Sequence, residues 1–236
     1  MGLADLLRRT PPPGPLRELA AAPTYPRDTP LAQVELLALD LETTGLDPRA
    51  HELLSFGLVP VQGMEIPLGR ARHLPVRPRG DVGESAVIHG LTDDALAAAP
   101  PLPQVLPEVL GSLVTPGPRR RVLLAHFAQV ETTFLRAACR SVYGAGVRLQ
   151  VVDTLEVERR LLRREPHQLT RGFFRLDACR RRHHLPRYRA HSAVVDAIGC
   201  AELFLAQCAQ LEQHRDRPLL LDDVLAPGAF PFGSRA

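Results

Sequence analysis

In Leu36-Leu37-Ala38-Leu39-Asp40-Leu41-Glu42-Thr43-Thr44-Gly45-Leu46-Asp47-Pro48, an apolar run ends in two carboxylates spaced two residues apart, and a Thr-Thr-Gly turn follows at once. In a strand, side chains at i and i+2 leave the same face, ~6–7 Å apart. Asp40 and Glu42 would then repel each other at the end of a buried strand, and a divalent cation is what best relieves that repulsion. Taken alone, the pair reads equally well as an acidic strand end beside a surface turn, because D-x-E is common. The rest of the chain separates the two readings.

Around this stretch the chain reads as one α/β domain with a mixed central sheet flanked by helices, spanning 34–211. Val34–Leu41 is expected to be a buried strand. Glu52–Val61 and Glu65–Leu74 alternate as a hairpin turned at Gln62-Gly63-Met64. Val87–Thr92 reads as a loop, with Thr92 capping a short helix over Asp93–Ala98. Helical spacing follows over Leu102–Val114, then a strand at Arg121–Ala125 and a helix at Gln129–Tyr143. A strand at Arg148–Val152 leads into a helix at Leu155–Arg164, and helices follow over Leu176–Arg182 and Ser192–Leu211. Residues 1–33, with Pro-Pro-Pro-Gly-Pro at 11–15 and further prolines at 23, 26 and 30, form a proline-rich arm carrying one short helix near Leu16–Ala21. Residues 212–236 form a C-terminal tail. There is no internal repeat.

Composition narrows the function classes. A chain of 236 residues, 45% hydrophobic and 23% charged, suits one globular domain with tails. No uninterrupted apolar run reaches the ~20 residues of a membrane span. The opening residues lack a signal-peptide apolar region ahead of their arginines, and Leu6 breaks the myristoylation pattern. A cytoplasmic location without membrane contact is the expectation. Cys139, Cys179, Cys200 and Cys208 form no C-x-x-C pair and read as free buried thiols. Cys179 lies near His183, His184 and His191, but that spacing matches no structural zinc pattern.

Net charge is only +3, yet it is uneven. Between Glu156 and His191 eleven arginines face four acids, a balance that would attract a polyanion. The chain contains no lysine, so part of this run reflects a general preference for arginine on solvated helix faces.

Two further motifs carry chemistry. In Ala125-His126-Phe127-Ala128-Gln129-Val130-Glu131, a strand ends and a helix begins, with Glu131 in its early turns and Phe134 and Leu135 at i+3 and i+4. In His191-Ser192-Ala193-Val194-Val195-Asp196, five helical steps would put His191 and Asp196 about 140° apart. Ser192 is a good N-cap, so His191 belongs in the preceding loop, free to swing over Asp196. Asp153, at a strand end before a helix, reads as a structural cap.

Strand-borne D-x-E-T-T-G, the helix acid after A-H-x-A, and H-x4-D resemble the DEDDh 3′–5′ exonucleases, above all the proofreading epsilon subunit of bacterial DNA polymerase III and its stand-alone relatives. Ile88-His89-Gly90-Leu91-Thr92 and Val152-Asp153-Thr154-Leu155 resemble two further signatures, and the likeness covers about residues 34–207. It implies a ribonuclease H-like fold and 3′–5′ exonuclease activity on single-stranded DNA 3′ ends, of a proofreading or repair type. It implies four metal-binding carboxylates, Asp40, Glu42, Glu131 and Asp196, with His191 as general base and two divalent cations, Mg²⁺ or Mn²⁺, as cofactors. Thr43, Leu46, His89 and Phe134 would contact the 3′-terminal nucleotide, and core packing is an equal expectation for Phe134. A DNA polymerase or repair complex is the implied partner. The family pattern has Asp where this chain has Glu131, and Asn where it has Phe127. An exoribonuclease, or a nuclease-fold binding module weakened by the Glu131 exchange, are the alternatives.

The chemistry agrees with the residue types. Phosphodiester hydrolysis needs an activated water, charge neutralisation at the phosphate and a stabilised leaving oxygen. Two divalent ions ~3.5–4 Å apart supply these, and carboxylates are the hard ligands they prefer. An imidazole with a pKa near neutral suits proton transfer from the water.

Overall fold

The computed structural model describes residues 11–162, 172–188, 191–213 and 215–226. Residues 1–10 of the arm, 227–236 of the tail, and Arg163, Arg164, Glu165, Arg171 and Arg189 of the arginine-rich run lie outside the described residues. Strands β1 (Leu36–Thr43), β2 (Leu53–Val61), β3 (Arg72–Pro75), β4 (Val122–Ala125) and β5 (Val151–Asp153) form one sheet in the order β3-β2-β1-β4-β5. The β1–β2 and β2–β3 pairs are antiparallel, and β1–β4 and β4–β5 are parallel. This is the expected mixed sheet, with helices on both faces.

The alternation of β1 sorts its side chains between two cores. Leu37, Leu39 and Leu41 join one cluster, with Leu106, Leu110, Phe134 and Leu135. These come from α4 (Leu102–Ser112) and α5 (Gln129–Tyr143). Leu36 and Ala38 join the other, with Ala197, Cys200 and Phe204 from α8 (Ala193–Glu212). Asp40 and Glu42 continue this second row, so the carboxylates emerge on the α8 side of the sheet. Helix α8 is long and apolar enough to cross a membrane by length and composition, with a mean hydropathy of 1.4. Its apolar character is accounted for by packing, since Ala197, Cys200, Phe204 and Cys208 are all buried against the sheet.

Both chain ends contribute to these cores. Leu16 and Leu19 of α1 (Pro15–Ala21) are buried in the first cluster, and Tyr25 and Leu31 in the second. Gln150 fixes the arm by a reciprocal pair: its side chain accepts from the Tyr25 N–H at 2.9 Å and donates to the Tyr25 carbonyl at 2.8 Å. The Leu31 N–H donates to Leu219 O at 2.8 Å, and Leu219, Leu221, Val224 and Leu225 are buried beneath the arm.

Several expected boundaries shift. The strand expected over Glu65–Leu74 begins only at Arg72. Gln62 and Glu65 close a tight turn with each other, and Leu68–Arg70 forms a 3-10 turn after Pro67, which has no N–H for a ladder. The strand expected at Arg148–Val152 shortens to Val151–Asp153. Gln150 is committed to Tyr25, and the Arg148 carbonyl accepts from Arg120 at 3.1 Å. The loop expected at Val87–Thr92 contains one helical turn, α2 (Ala86–His89), closed by Gly90 at φ 72°. Thr92 caps α3 (Asp93–Ala97) as expected, accepting from the Ala95 N–H at 3.3 Å. Ser192 stands at the N-cap of α8 but makes no side-chain capping bond.

The arginine-rich run divides where it is described: Arg159, Arg175, Arg181 and Arg187 are exposed, Arg160 and Arg182 are half-buried, and Arg180 is buried. It spans α6 (Thr154–Leu161) and α7 (Leu176–Arg182). Arg160 donates to the carbonyls of Asp223 and Leu225. Arg180 is buried, donating to Gly199 O at 2.7 Å and Pro186 O at 2.8 Å and pairing with Glu202. Arg182 pairs with the buried Glu158 at 2.8 Å, and His183 sits 2.9 Å from the same carboxylate. Arg160, Arg180 and Arg182 thus hold helices together, while Arg159, Arg175, Arg181 and Arg187 remain on the surface. His183 engaged with Glu158, and Cys179 buried beside Arg182, leave no zinc cluster there among the described residues.

Candidate active site

Asp40 and Glu42 are held at the end of β1 by the β2 ladder, in which Asp40 lies opposite Gly57 and Glu42 opposite Ser55. The register shifts between Glu42 and Thr43, and after Thr43, paired with Leu53, the strand ends one residue beyond the second acid. Thr43 closes that turn by donating its hydroxyl to Gly45 O at 2.7 Å.

Helix α8 brings Asp196 to the pair. One carboxylate oxygen from each of Asp40, Glu42 and Asp196 lies within 4.8 Å of the other two. This approach depends on Gly57. A Cβ there would stand 2.1 Å from the carbonyl carbon and oxygen of Ala193, at the first turn of α8. A glycine inside an apolar strand is the available sequence signal for such an approach, and the sequence reading passed over it.

Glu131 enters from the first turn of α5, which springs from the end of β4, the parallel neighbour of β1. Its side chain is buried, and Oε2 has no hydrogen-bond partner. Asp153 organises this corner. Its carboxylate accepts the N–H groups of Phe127, Ala128 and Leu155, each at 2.9 Å, so one side chain caps α6 and holds the turn into α5. The structural role expected for Asp153 is the one it has. His126 is fixed behind it, with Nδ1 2.8 Å from the Thr154 hydroxyl and Nε2 2.7 Å from Phe174 O.

His191 lies just before α8 at φ 72°, exposed, with its backbone N–H donating to Asp196 Oδ2 at 2.9 Å. The loop position is the one its spacing from Asp196 predicts, and the contact made there is through the backbone N–H. His89 is close enough to His191 that a positive charge there pulls its pKa down, a smaller effect than its burial. Its Nδ1 accepts the Leu91 N–H at 3.1 Å, so in the neutral ring Nε2 carries the proton, and that atom is buried without a partner. Leu46, just beyond the Thr-Thr-Gly turn, is 75% exposed. Phe134 is placed differently: at 2% exposure its side chain is taken up by the first core, corresponding to its core-packing reading. It also lines a cleft of about 530 Å³ with Pro48, Leu53, Arg77 and Pro101, and none of the four acids lines that cleft.

The electrostatics describe a site built for cations. Burial first, then the charges of Glu131, Asp196 and Glu42, push the Asp40 carboxyl well above the usual carboxylate range. Burial and Asp196 push Glu42 up to about 7. Burial pushes Glu131 up to about 8, with Asp153 adding to it. Asp196 is raised chiefly by burial, against lowering by the His191 N–H and by the charges of His191 and Arg180. Four carboxyls raised by burial, with Asp40 and Glu42 raised further by their acidic neighbours and Glu131 keeping an orphaned buried oxygen, fit a set of hard oxygen ligands for divalent cations.

Comparison with known proteins agrees with this geometry. The exonuclease family model (RNase T type) matches residues 37–204. The PolC-type DNA polymerase III of Thermotoga maritima is 30% identical over 179 residues, 75% of this chain. The chain spans only 12% of that relative's length. The nuclease domain of 3′hExo, a DEDDh family member solved bound to rAMP, superposes with a TM-score of 0.64 at 16% identity, covering 81% of this chain and 98% of that one. Escherichia coli exonuclease I, in complex with a 5cy-dT13 oligonucleotide, gives 0.62 at 15% identity, covering 77% and 42%. With the ribonuclease H-like sheet, the carboxylates gathered at the end of its central strand β1 and the family match over most of the domain, the chain belongs to the DEDDh 3′–5′ exonucleases, a family dependent on divalent metal.

Proposed function

We propose that this protein removes nucleotides from the 3′ ends of single-stranded DNA by two-metal hydrolysis, as a cytoplasmic proofreading or repair nuclease working beside a DNA polymerase. The observation that carries the reading is the convergence of Asp40, Glu42 and Asp196 within 4.8 Å, with the orphaned Glu131 carboxylate raising Asp40. The polymerase association rests on the PolC-type relatives, of which this chain matches a small part.

In this reading Asp40, Glu42, Asp196 and Glu131 hold the divalent ions. Those ions supply charge neutralisation at the phosphate and a water acidic enough to attack it at neutral pH. His191 accepts the proton of that water. Its backbone N–H bond to Asp196 ties the loop that carries it to the cluster, within reach of such a water. His89 offers its partnerless Nε2–H to an oxygen of the terminal nucleotide, while Thr43 and Leu46 border the same nucleotide.

Digestion of strands labelled at the 3′ or the 5′ end, with Mg²⁺ or Mn²⁺, tests this. Stepwise release from the 3′ end is expected, and Asp40→Ala and His191→Ala should abolish it. Full activity in either variant would sink the assignment. Matched DNA and RNA strands separate this reading from an exoribonuclease.

A further inference from the structure

Phe127 is out of place by every local criterion. It opens the turn from β4 into α5 at φ 66°, the left-handed region that bulky side chains avoid. Glycine or asparagine suits such a turn. Its ring is also left 47% exposed to water. The conformation persists because the Asp153 carboxylate takes the N–H of Phe127 and that of Ala128, each at 2.9 Å.

An aromatic ring kept in water on a strained backbone, four residues ahead of the metal-facing Glu131, has a use at this position. Leu46, after the Thr-Thr-Gly turn, and Val87, in α2, are likewise exposed, at 75% and 90%. Nucleic-acid sites that take single strands pair an electrostatic grip on the phosphates with aromatic faces on which bases stack, and such stacking accepts any base. A base inside a duplex has both faces covered by its stacked neighbours and its edge held by its partner, so it cannot turn onto such a ring.

We propose that Phe127 is the stacking platform for an unpaired base near the 3′ end of the substrate strand, and that it biases the site toward single strands. This rests on reading the site as a single-strand 3′–5′ exonuclease. The acids and His191 act on the phosphate; Phe127 holds the base side of the strand.

The test uses dT oligonucleotides with 2-aminopurine placed at successive positions from the 3′ end, bound by the full-length protein with Ca²⁺ in place of the catalytic ion. Wild type should quench the fluorescence at one position. Phe127→Asn suits the left-handed turn, so it should fold at least as stably while losing the quench, and Phe127→Trp should keep it. With Mg²⁺ or Mn²⁺, the Asn variant should show KM for single strands raised on the order of 10-fold, with kcat little changed. Its preference for single over double strands should shrink. Wild-type cleavage combined with an Asn variant that quenches and binds like wild type overturns the stacking role alone. A wild-type protein that neither binds nor degrades the strands overturns both this role and the exonuclease reading.

Discussion

Gly57 lies directly across the β1–β2 ladder from Asp40, and the space its side chain would occupy is filled by the backbone of Ala193. The sheet and α8 therefore touch at backbone level beside the acid pair. Replacing Gly57 by Ala forces a contact of 2.1 Å against backbone that cannot rotate away. The expected result is a loss of about 1–3 kcal/mol in stability and a drop in activity of roughly 10-fold or more, because α8 carries Asp196 and sub-ångström positioning controls such sites. Thermal melts and single-turnover digestion check this. Gly69→Ala, where nothing lies within 4 Å, is the control and should change neither.

The raised carboxyls set the pH behaviour of the metal-free protein. Glu42 titrates near pH 7 and Glu131 near pH 8 when folded, against an ordinary value of 4.5. The folded state thus holds protons that the unfolded state has released. Stability is greatest below about pH 4.5 as far as these groups are concerned, and falls as pH rises through about 8. In EDTA the melting temperature should decline across that window. Adding Mg²⁺ or Mn²⁺ should raise it strongly at pH 8 and little at pH 5, where protons compete for the same oxygens. A metal-induced shift equal at both pH values would contradict the ligand role.

Glu131 stands where the family usually has Asp. Glu131→Gln keeps its shape and removes its charge, and is expected to lower cleavage roughly 100-fold if the carboxylate holds a metal ion. Glu131→Asp should retain activity or raise it. Equal rates in wild type and the Gln variant would show that Glu131 is no ligand. Titrating Mn²⁺ against each variant adds the affinity readout.

Asp153 receives three backbone N–H groups that have no other acceptor at that corner. Asp153→Asn turns one acceptor oxygen into a donor facing N–H groups, which should cost about 2 kcal/mol in urea denaturation. It should also reduce activity, because the turn that launches Glu131 is no longer fixed. Unchanged stability would mean that the turn is held mainly by packing.

The arrangement of acids was legible in the sequence because each sits at a strand or helix end that local rules predict. The apolar run before Asp40 fixes β1, its period of two puts Asp40 and Glu42 on one face, and the Ser192 region starts α8. His191 was assigned to the loop from angular spacing, and it lies there. The strand over Glu65–Leu74 and the loop at Val87–Thr92 came out differently because Pro67 and Gly90 act over one or two residues, below the resolution of a periodic pattern. The excess of arginine divides between surface and interior. A charge count cannot distinguish Arg180, buried against Gly199 and Glu202, from an arginine facing solvent.

By itself, the sequence determined the order of the elements and the mixed α/β class, since these follow from short-range periodicity, and its motifs singled out the four acids through their resemblance to the DEDDh exonucleases. Only the tertiary structure decided which side chains share the site. Packing took Phe134 into the core, joined both chain ends to it, and allowed α8 to approach β2 through the missing side chain of Gly57. Those outcomes depend on contacts between segments distant in sequence, and no local pattern carries that information.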